Sequence, residues 1–361
     1  MKVWKYKRIS PKLIATKLSL IKPEDMANLA GRNLKYIQSM LTKTQYRPEI
    51  MAIPAEELNS LSLETAFLKN FIRTYEKIME WSPKDIRFLL DAVLKKLEVG
   101  NIKAILRAKV ANISVDEALE YITPIGRLDE IRCRKILEGS NNVNDLVEQL
   151  LDLEYGLVLM DVLKEYEKTG VLLLLEVALD KYVYGEIWRA TEKLKGLDKK
   201  IAETVLGIEI ASVNIKVILR CKTMELSEDK IKRNLIPISG VFEEKELEET
   251  VEAADNDAFI KRLSTIPKLS LARDYQYMLT DIQREYAASR SLSQLEIALD
   301  KSLLKTNLRM LKRYTQFFNI GLILAFLNLK WFEVKNLRAI VKGIEDGVPP
   351  NRIKKLLILP S

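Results

Sequence analysis

The chain contains no histidine among its 361 residues and only two cysteines, Cys133 and Cys221. The missing histidine excludes the usual nucleophilic triads, most zinc sites and the commonest general base. Two cysteines are too few for a disulfide framework and are typical of a reducing compartment. The sequence also lacks a GxGxxG, a Walker-type phosphate loop and a CxxC. The sequence therefore shows no recognisable reaction centre, and a helical enzyme stays open as an alternative; we predict no catalytic residue, cofactor, metal or small-molecule substrate.

Glycine and proline are scarce, at 13 and 11 residues, whereas Leu, Ile, Lys, Glu and Ala dominate. This composition favours helix over sheet, so we predict an all-α protein. No apolar run reaches the roughly 18 residues of a membrane span. The longest candidate, FFNIGLILAFLNLKWF, is interrupted by Asn319, Asn328 and Lys330, so we expect a buried core helix there. The N-terminus has no signal-peptide pattern, and we expect a soluble or peripheral membrane protein.

The net charge of +8 is concentrated near the N-terminus. Residues 1–23 carry seven basic and no acidic side chains, while the remainder is nearly neutral. These cations are Lys2, Lys5, Lys7, Arg8, Lys12, Lys17 and Lys22. Such a segment can bind anionic lipid, nucleic acid or an acidic protein, or it can be a solvated helix without a dedicated partner.

Three segments of the chain have nearly the same sequence: GNIKAILRAK, VNIKVILRCK and VKNLRAIVKGI. They align on Asn101, Asn214 and Asn336, which are 113 and 122 residues apart. Thirteen positions after each asparagine a helix start is expected, at Ser114, Ser227 and Pro349. Upstream, LETAFLKN, LEVALDKY and LEIALDKS align on Glu64, Glu176 and Glu296, and MLTKTQYRP and LLDLEYGLV align loosely. We predict three homologous helical repeats: 1–126 with the basic N-terminal segment, 127–240 and 241–361.

The repeated helix has two distinct faces. One face is apolar and carries the asparagine, which we expect to bond a neighbouring backbone. The other face carries two cations four residues apart in every copy: Lys103 and Arg107, Lys216 and Arg220, and Arg338 and Lys342. These cations either face solvent beside acids such as Glu98 or the Glu176/Asp180 helix, or form a basic ridge presented three times. Three ridges around an axis would form a socket for a partner.

The repeated hairpins, together with LEVALDKYVYGEI and YIQSMLTKTQYRPEI, resemble the family of the C subunits of archaeal A-type ATP synthases, which are homologous to the d subunits of the V-ATPases. The resemblance covers the whole chain, except that the opening segment WKYKRISPKLIATKLSLI is more basic than is usual there. It implies a funnel with pseudo-threefold symmetry that performs no chemistry itself. Such a protein lies peripherally on the cytoplasmic side of the cell membrane.

The resemblance further implies a role in the central stalk. The funnel would join the membrane rotor ring of proteolipid subunits to the D and F subunits of the axle. It would transmit torque between proton or sodium translocation and ATP synthesis or hydrolysis. The six cations above are then the candidates for the partner interface. A basic helical-repeat protein that binds nucleic acid, or a scaffold, is the alternative, although residues 24–361 are close to neutral.

Overall fold

The computed structural model describes residues 3–123, 125–236, 244–265, 273–289, 291–314 and 319–359. Within these ranges every regular element is a helix, and the pairing of Ile125 with Leu128 is an isolated bridge. The prediction of an all-α fold is confirmed. The chain separates into two compact units: Met1–Arg87, Lys195–Ser212 and Pro267–Ser361 form unit 1, and Phe88–Leu194 and Val213–Ile266 form unit 2.

The helices are numbered in chain order. Up to the first repeated segment they are α1 (Val3–Tyr6), α2 (Ser10–Lys17), α3 (Pro23–Leu29), α4 (Leu34–Leu41), α5 (Arg47–Met51), a 3-10 turn (Ala55–Glu57), α6 (Ser60–Trp81) and α7 (Lys84–Val110). Up to the second they are α8 (Val115–Leu119), α9 (Glu130–Glu138), α10 (Val143–Glu148), α11 (Glu154–Thr169), α12 (Leu173–Glu192) and α13 (Gly196–Thr223). The rest are α14 (Glu228–Arg233), α15 (Glu244–Val251), α16 (Asn256–Leu263), α17 (Arg273–Ser289), α18 (Leu292–Tyr314), α19 (Ile320–Glu345) and α20 (Pro350–Leu356).

Unit 1 is organised around α19, which packs against α6 and α18 and is covered at its edges by α2, α3 and α20. This helix contains the apolar run FFNIGLILAFLNLKWF from Ile320 onward, and Phe326 and Leu337 on it are fully buried. The expected core helix is therefore confirmed for the part of this run that the structure describes. Among the described residues, no helix has both the length and the apolar character needed to cross a bilayer.

Unit 2 is organised around the antiparallel neighbours α11 and α12, with α10 packed against α11. Shorter helices form consecutive pairs, α8 with α9, α14 with α15 and α15 with α16. The two cysteines lie in the core of this unit and are both fully buried, as the apolar surroundings of Cys221 predict. Burial raises the pKa of the Cys221 thiol to about 11, so this thiol stays protonated and unreactive.

The three repeated helices end in the same way. Eleven residues after each aligned asparagine the backbone turns left-handed, at Asn112 (φ 53°), Glu225 (φ 55°) and Gly347 (φ 66°). The next amide then bonds back to the carbonyl of the fifth residue before it, at Ala108, Cys221 and Gly343, with N–O distances of 2.9, 3.0 and 2.8 Å. This bond closes a helix end of the Schellman type. The chain is thereby reversed at an identical point in each copy.

The second helix of each hairpin starts where the sequence predicts. Ser114, Ser227 and Pro349 are the residues that precede α8, α14 and α20. The hydroxyl of Ser114 accepts a hydrogen bond from the amide of Glu117, whereas Ser227 makes no such cap bond. Proline at the start of α20 needs no amide partner, because the first helical amides are unbonded in any case.

The three asparagines bond to backbone, as the sequence analysis expects. Asn336 accepts from the amide of Ile358 and donates to its carbonyl, both at 2.8 Å. Asn214 holds Ile236 in the same way, at 2.9 and 3.1 Å. Asn101 accepts from the Thr123 amide and donates to its carbonyl. Each bonded residue lies 22 positions after its asparagine, just beyond the short second helix of the hairpin. We call this pair of bonds the asparagine clamp; it holds the end of the short helix against the long one.

The predicted division into three repeats meets gaps in the described chain. Pro124 lies outside the described residues, and so do Pro237 to Gly240, where the boundary between the second and third repeats is placed. The two compact units group residues from different predicted repeats: unit 2 spans both predicted boundaries, and unit 1 combines parts of all three repeats. The three-repeat division stays a prediction.

Candidate functional site

The first pair of repeated cations is engaged in ion pairs within unit 2. Lys103 contacts Asp180 at 2.5 Å, and Arg107 binds Glu176 with two nitrogens at 2.5 and 3.0 Å. Both acids lie on α12, the helix that the sequence alternative named. The hydrogen bond to Glu176 raises the pKa of the Arg107 guanidinium. Even so, 58% of the Arg107 side chain is exposed, against 8% of its partner.

The third pair behaves similarly within unit 1. Arg338 on α19 contacts Glu64 on α6 at 2.7 Å, and this pair is mostly buried. Lys342 is 46% exposed and contacts Glu345 and Asp346 at the end of its own helix, at 3.8 and 3.4 Å. Glu64 and Glu176 are equivalent in the repeat alignment. A cation of the first repeated helix thus pairs with this acidic position in the second predicted repeat, and a cation of the third repeated helix pairs with it in the first.

The second pair, Lys216 and Arg220, lies on α13 and is half-buried. Both side chains also take part in polar or electrostatic interactions. The six predicted cations are thus not brought to one place within either unit, and four of them are ion-paired as described above. Their distribution follows the repeat, with one pair on each repeated helix.

Glu98, which the sequence analysis named as an acid beside the repeated cations, is instead buried and bonds residues of the next predicted repeat. Glu98 accepts hydrogen bonds from the Tyr155 hydroxyl at 2.5 Å and from the Arg127 amide at 2.8 Å. Gly126 leaves room for it, because a Cβ there would lie 2.0 Å from the Glu98 carboxylate. Burial and the Glu98 bond raise the pKa of the Tyr155 hydroxyl, which therefore remains a donor.

Unit 1 contains an equivalent arrangement. Glu333 accepts from the Tyr46 hydroxyl at 2.8 Å and from the Ile21 amide at 2.6 Å. Glu98 and Glu333 both stand three residues before an aligned asparagine, and Tyr46 and Tyr155 stand in the loosely aligned upstream segments. The second repeat has Ala211 at the glutamate position. Because the glutamate is present in only two of the three copies, the comparison of the copies did not single it out.

The Glu333 site also contains a fully buried lysine. The Lys330 ammonium contacts Glu333 at 2.8 Å and stands 3.9 Å from the centre of the Tyr46 ring. Burial lowers the pKa of Lys330, and the carboxylate of Glu333 opposes that shift. A buried charge needs such a partner, because desolvation of an isolated ammonium is expensive. The cluster ties α19 to the segment before α5.

Two further lysines of the repeated helices were missed. Lys109 donates to the carbonyls of Leu137 and Ser140 at 3.1 and 2.7 Å. Lys222, at the same repeat position, donates to the carbonyls of Val251, at 2.7 Å, and Ala253. Both lysines bond carbonyls at or just after the end of a helix of the following repeat, α9 or α15, where carbonyl groups lack helical partners. The sequence could have indicated these lysines, because RAK (107–109) and RCK (220–222) place a lysine at the same position of the first two repeated helices.

The basic N-terminal segment is partly neutralised within unit 1. Lys5 lies between Asp85 and Asp198, at 2.5 and 2.9 Å, and Arg8 contacts Glu80 at 3.0 Å. Lys12 stands 4.7 Å from the centre of the Trp81 ring. By contrast, Lys17 and Lys22 make no side-chain ion pair or hydrogen bond within the described part of the chain. Lys2 lies outside the described residues.

The described residues contain no group of three acidic or sulfur ligands that could hold a metal ion. Their recurring polar features are joints between repeats: carboxylates that accept from tyrosine and backbone, cation–carboxylate pairs, and lysines that bond carbonyls. These groups are mutually satisfied. Chemically the arrangement holds helices in fixed register.

Comparisons of the sequence with known proteins identify the family to which the chain belongs. A family model described as "ATP synthase (C/AC39) subunit" matches residues 9–356. The C subunit of the A-type ATP synthase of Methanothermobacter thermautotrophicus is 29% identical over 91% of this chain and 83% of the relative. The corresponding protein of Methanobrevibacter smithii is 32% identical over 79% and 72%. That of Pyrococcus abyssi is 26% identical over 98% and 91%.

Proposed function

Because the chain belongs to the ATP synthase (C/AC39) subunit family, we propose that it is a non-catalytic central-stalk rotor subunit of an A-type or V-type rotary ATP synthase. In this role it joins the membrane rotor ring of proteolipid subunits to the D and F subunits of the axle. It transmits torque between proton or sodium translocation and the synthesis or hydrolysis of ATP. Its place is on the cytoplasmic surface of the cell membrane.

The observation that carries the proposal is that the third repeat contacts the first in the way the first contacts the second. Glu333 binds Tyr46 as Glu98 binds Tyr155. A linear array of repeats would leave the last glutamate without a tyrosine from a following repeat. The Glu333–Tyr46 joint within unit 1 is the contact that three repeats around an axis require between the last and the first. It supports the proposal of a funnel of three repeats with pseudo-threefold symmetry, whose hollow receives the tip of the axle.

A torque-transmitting body must not yield at its joints. The buried Glu333 accepts from Tyr46, Ile21 and Lys330, and each bond crosses from one helix or segment to another or braces α19 itself. Removal of a single partner from such a network leaves an unsatisfied buried group, so the joint opens only at substantial cost. Stiffness of this kind suits a coupling that turns as one piece.

For the partner interface we propose the repeated cations, chiefly the two that remain exposed beside their acids. Arg107 and Lys342 expose 58% and 46% of their side chains and occupy the same position of the repeated helix. Lys103 and Arg338 hold their helices against acids of neighbouring helices. Lys216 and Arg220 are the corresponding residues of α13 and complete the proposed set. An acidic partner surface would meet the exposed ends.

The test is co-expression of this chain with the ring-forming membrane subunit and the two axle subunits, followed by capture on this chain. We expect the ring and the axle to co-purify. A variant with Arg107→Glu and Lys342→Glu should retain the ring and lose the axle, whereas Lys164→Glu with Lys168→Glu, on the exposed face of α11, should retain both. Capture of neither partner would refute the proposal. Salt-sensitive recovery of nucleic acid alone would favour the alternative function.

A further inference from the structure

A cavity of about 340 Å³ lies within unit 1 between the N-terminal segment and the helices of the third repeat. Its floor is formed by Leu304 and Leu308 of α18 and by Leu329 and Phe332 of α19. Its walls are Leu20, Met26, Ile358 and Leu359. The volume is at the lower end of the roughly 300–1,000 Å³ that small-molecule sites occupy.

Among the described residues that line this cavity, no buried polar side chain lacks a hydrogen-bond partner. Glu333 and Asn336 contribute to the lining, but their oxygens and nitrogens are already bonded to other parts of unit 1. The side-chain amide of Asn336 donates to the Ile358 carbonyl and accepts from the Ile358 amide. An occupant therefore gains nothing from polar atoms inside, and the end that enters must be apolar.

The mouth has the opposite character. Lys17 and Lys22 line the opening, and within the described residues neither ammonium has an ion pair or a hydrogen bond. The other described cations of the N-terminal segment are engaged, and Lys5 and Arg8 in particular are ion-paired. Leu18, between the two lysines along the chain, is 83% exposed. The lip itself is fixed, since the Ile21 amide is bonded to Glu333.

We propose that this cavity binds a single-chain anionic amphiphile. The alkyl chain fills the space above Leu308 and Phe332, and the anionic head group lies between Lys17 and Lys22. The site determines both parts of the ligand. The apolar interior, whose polar groups are already bonded, favours an alkyl chain, and the two ammonium groups without partners favour an anionic head group. The inference goes beyond the rotor function and does not depend on it.

Calorimetric titration with dodecyl phosphate, kept below its micellar concentration, tests the site on the full chain. We expect saturable binding of one molecule with a negative heat-capacity change, because apolar surface is buried. Dodecyl maltoside has the same chain without the charge, and it should bind about tenfold more weakly. Absence of saturable binding of either amphiphile would overturn the proposal.

Variants locate the binding. Leu308→Trp occupies the cavity from a half-buried position and should abolish binding of both amphiphiles. The pair Lys17→Gln and Lys22→Gln should weaken dodecyl phosphate about tenfold and leave dodecyl maltoside unchanged. The matched control, Lys164→Gln with Lys168→Gln on α11 of the other unit, should change neither. Equal binding by all variants would refute the assignment.

A photoreactive dodecyl phosphate provides a readout that needs no variant. After irradiation, peptide mapping should find the label on residues 17–26, 304–308 or 358–359, and label found elsewhere alone would contradict the proposal. Sedimentation with vesicles of phosphatidylglycerol distinguishes the source of the amphiphile. If the chain of a bilayer lipid enters the cavity, Leu308→Trp will reduce vesicle binding; if a free amphiphile is the ligand, vesicle binding will be unaffected while dodecyl phosphate binding is lost.

Discussion

One asparagine in each repeated helix bonds both polar groups of a residue that lies 22 positions later. The asparagine side chain is suited to this because its carbonyl accepts and its amide donates within one planar group. Asn101, Asn214 and Asn336 are all at most 4% exposed. Their hydrogen bonds therefore form away from water, and the backbone they hold would otherwise be unsatisfied.

Replacement of Asn101 by alanine should destabilise the protein by about 2–4 kcal/mol. The change removes the acceptor for the Thr123 amide and the donor to the carbonyls of Thr123 and Leu128. Urea unfolding followed by circular dichroism measures the loss. The control is Asn144→Ala, because Asn144 bonds Glu167 at the surface, and it should cost less than about 0.5 kcal/mol. Equal effects of the two substitutions would contradict the role of the clamp.

Glu154 gives the stability of the protein a defined pH dependence. Hydrogen bonds from Arg127 and then Lys95 lower the pKa of its carboxyl group to about 2. Since the folded pKa lies below that of the unfolded chain, the stabilisation is complete above the unfolded value of 4.5 and is lost as the pH falls towards 2. The side chain is 29% exposed, so we expect about 1–2 kcal/mol after screening by solvent.

The measurement is the difference in unfolding free energy between the wild type and Glu154→Gln across this pH range. It should be about 1–2 kcal/mol at pH 7 and approach zero near pH 2. Glu138→Gln is the control, since Glu138 is 57% exposed in its pair with Arg134. A difference that does not change with pH would show that Glu154 acts by packing rather than by charge.

At this scale the sequence revealed the residues that recur in all three copies and missed those that do not. The asparagines were found because their spacing to the next helix is constant. The bonds of Glu98 and Glu333 to tyrosines were missed, because the second copy has Ala211 and because the tyrosines follow loops of different length. The partner of Arg338, Glu64, lies 274 residues away, and no local pattern identifies such a pair.

At the scale of elements, the repeated hairpins depend on tight helix ends. Gly343 occupies the last small position of the apolar face, where the first two copies have Ala108 and Cys221. A Cβ at Gly343 would lie 2.9 Å from the side chain of Ile353 on α20. The third hairpin thus packs its two helices more closely than a larger residue permits. Small residues on this face were expected from the sequence, but the identity of the opposing residue was not.

Gly343→Leu should therefore destabilise the protein by about 1–3 kcal/mol, because the added atoms overlap Ile353, which is buried. Thermal unfolding measures this loss, and hydrogen exchange should locate it to α20. Gly100→Ala on the exposed face of α7 is the comparison. No atom lies within 4 Å of the position of its Cβ, so the substitution should stabilise by about 0.5–1 kcal/mol through helix propensity. Stabilisation by both substitutions would refute the close-packing argument.

The helix ends also show which local features the sequence could predict. Ser114, Ser227 and Pro349 are common start residues, and all three starts are confirmed. The left-handed turns at Asn112 and Glu225 were not predicted, because neither residue has the conformational freedom of glycine. Their position follows instead from the bond that closes each helix, to Ala108 and to Cys221. At both positions the left-handed conformation is therefore set by the hydrogen bond that closes the helix, not by the residue type.

At the scale of the whole molecule, equivalent joints recur between repeats that are far apart in sequence. In unit 2 Glu98 of the first predicted repeat bonds Tyr155 of the second, and in unit 1 Glu333 of the third predicted repeat bonds Tyr46 of the first. The composition and the repeat pattern were sufficient to predict an all-α protein. They could not predict these joints, since contacts between repeats depend on geometry that spacing along the chain does not encode.

The contact between Arg338 and Glu64 allows the closure of the third repeat on the first to be tested directly. Arg338→Glu places two carboxylates together in a mostly buried position and should destabilise the protein by roughly 2–4 kcal/mol. Glu64→Arg alone should be similarly unfavourable. With both substitutions the pair is restored in reverse, so the double variant should be more stable than the sum of the single effects by at least about 1 kcal/mol.

Urea unfolding of the four proteins gives this coupling energy. The matched control is the cycle of Arg8→Glu with Glu80→Arg, a pair that is 59% and 67% exposed and should couple by less than about 0.5 kcal/mol. If the effects of the Arg338 and Glu64 substitutions are simply additive, the two side chains do not interact in solution. The ion pair would then not contribute to the contact between the third and first predicted repeats. A positive coupling that survives high salt would show that the pair is buried in solution as it is in unit 1, because buried pairs are screened far less than exposed ones.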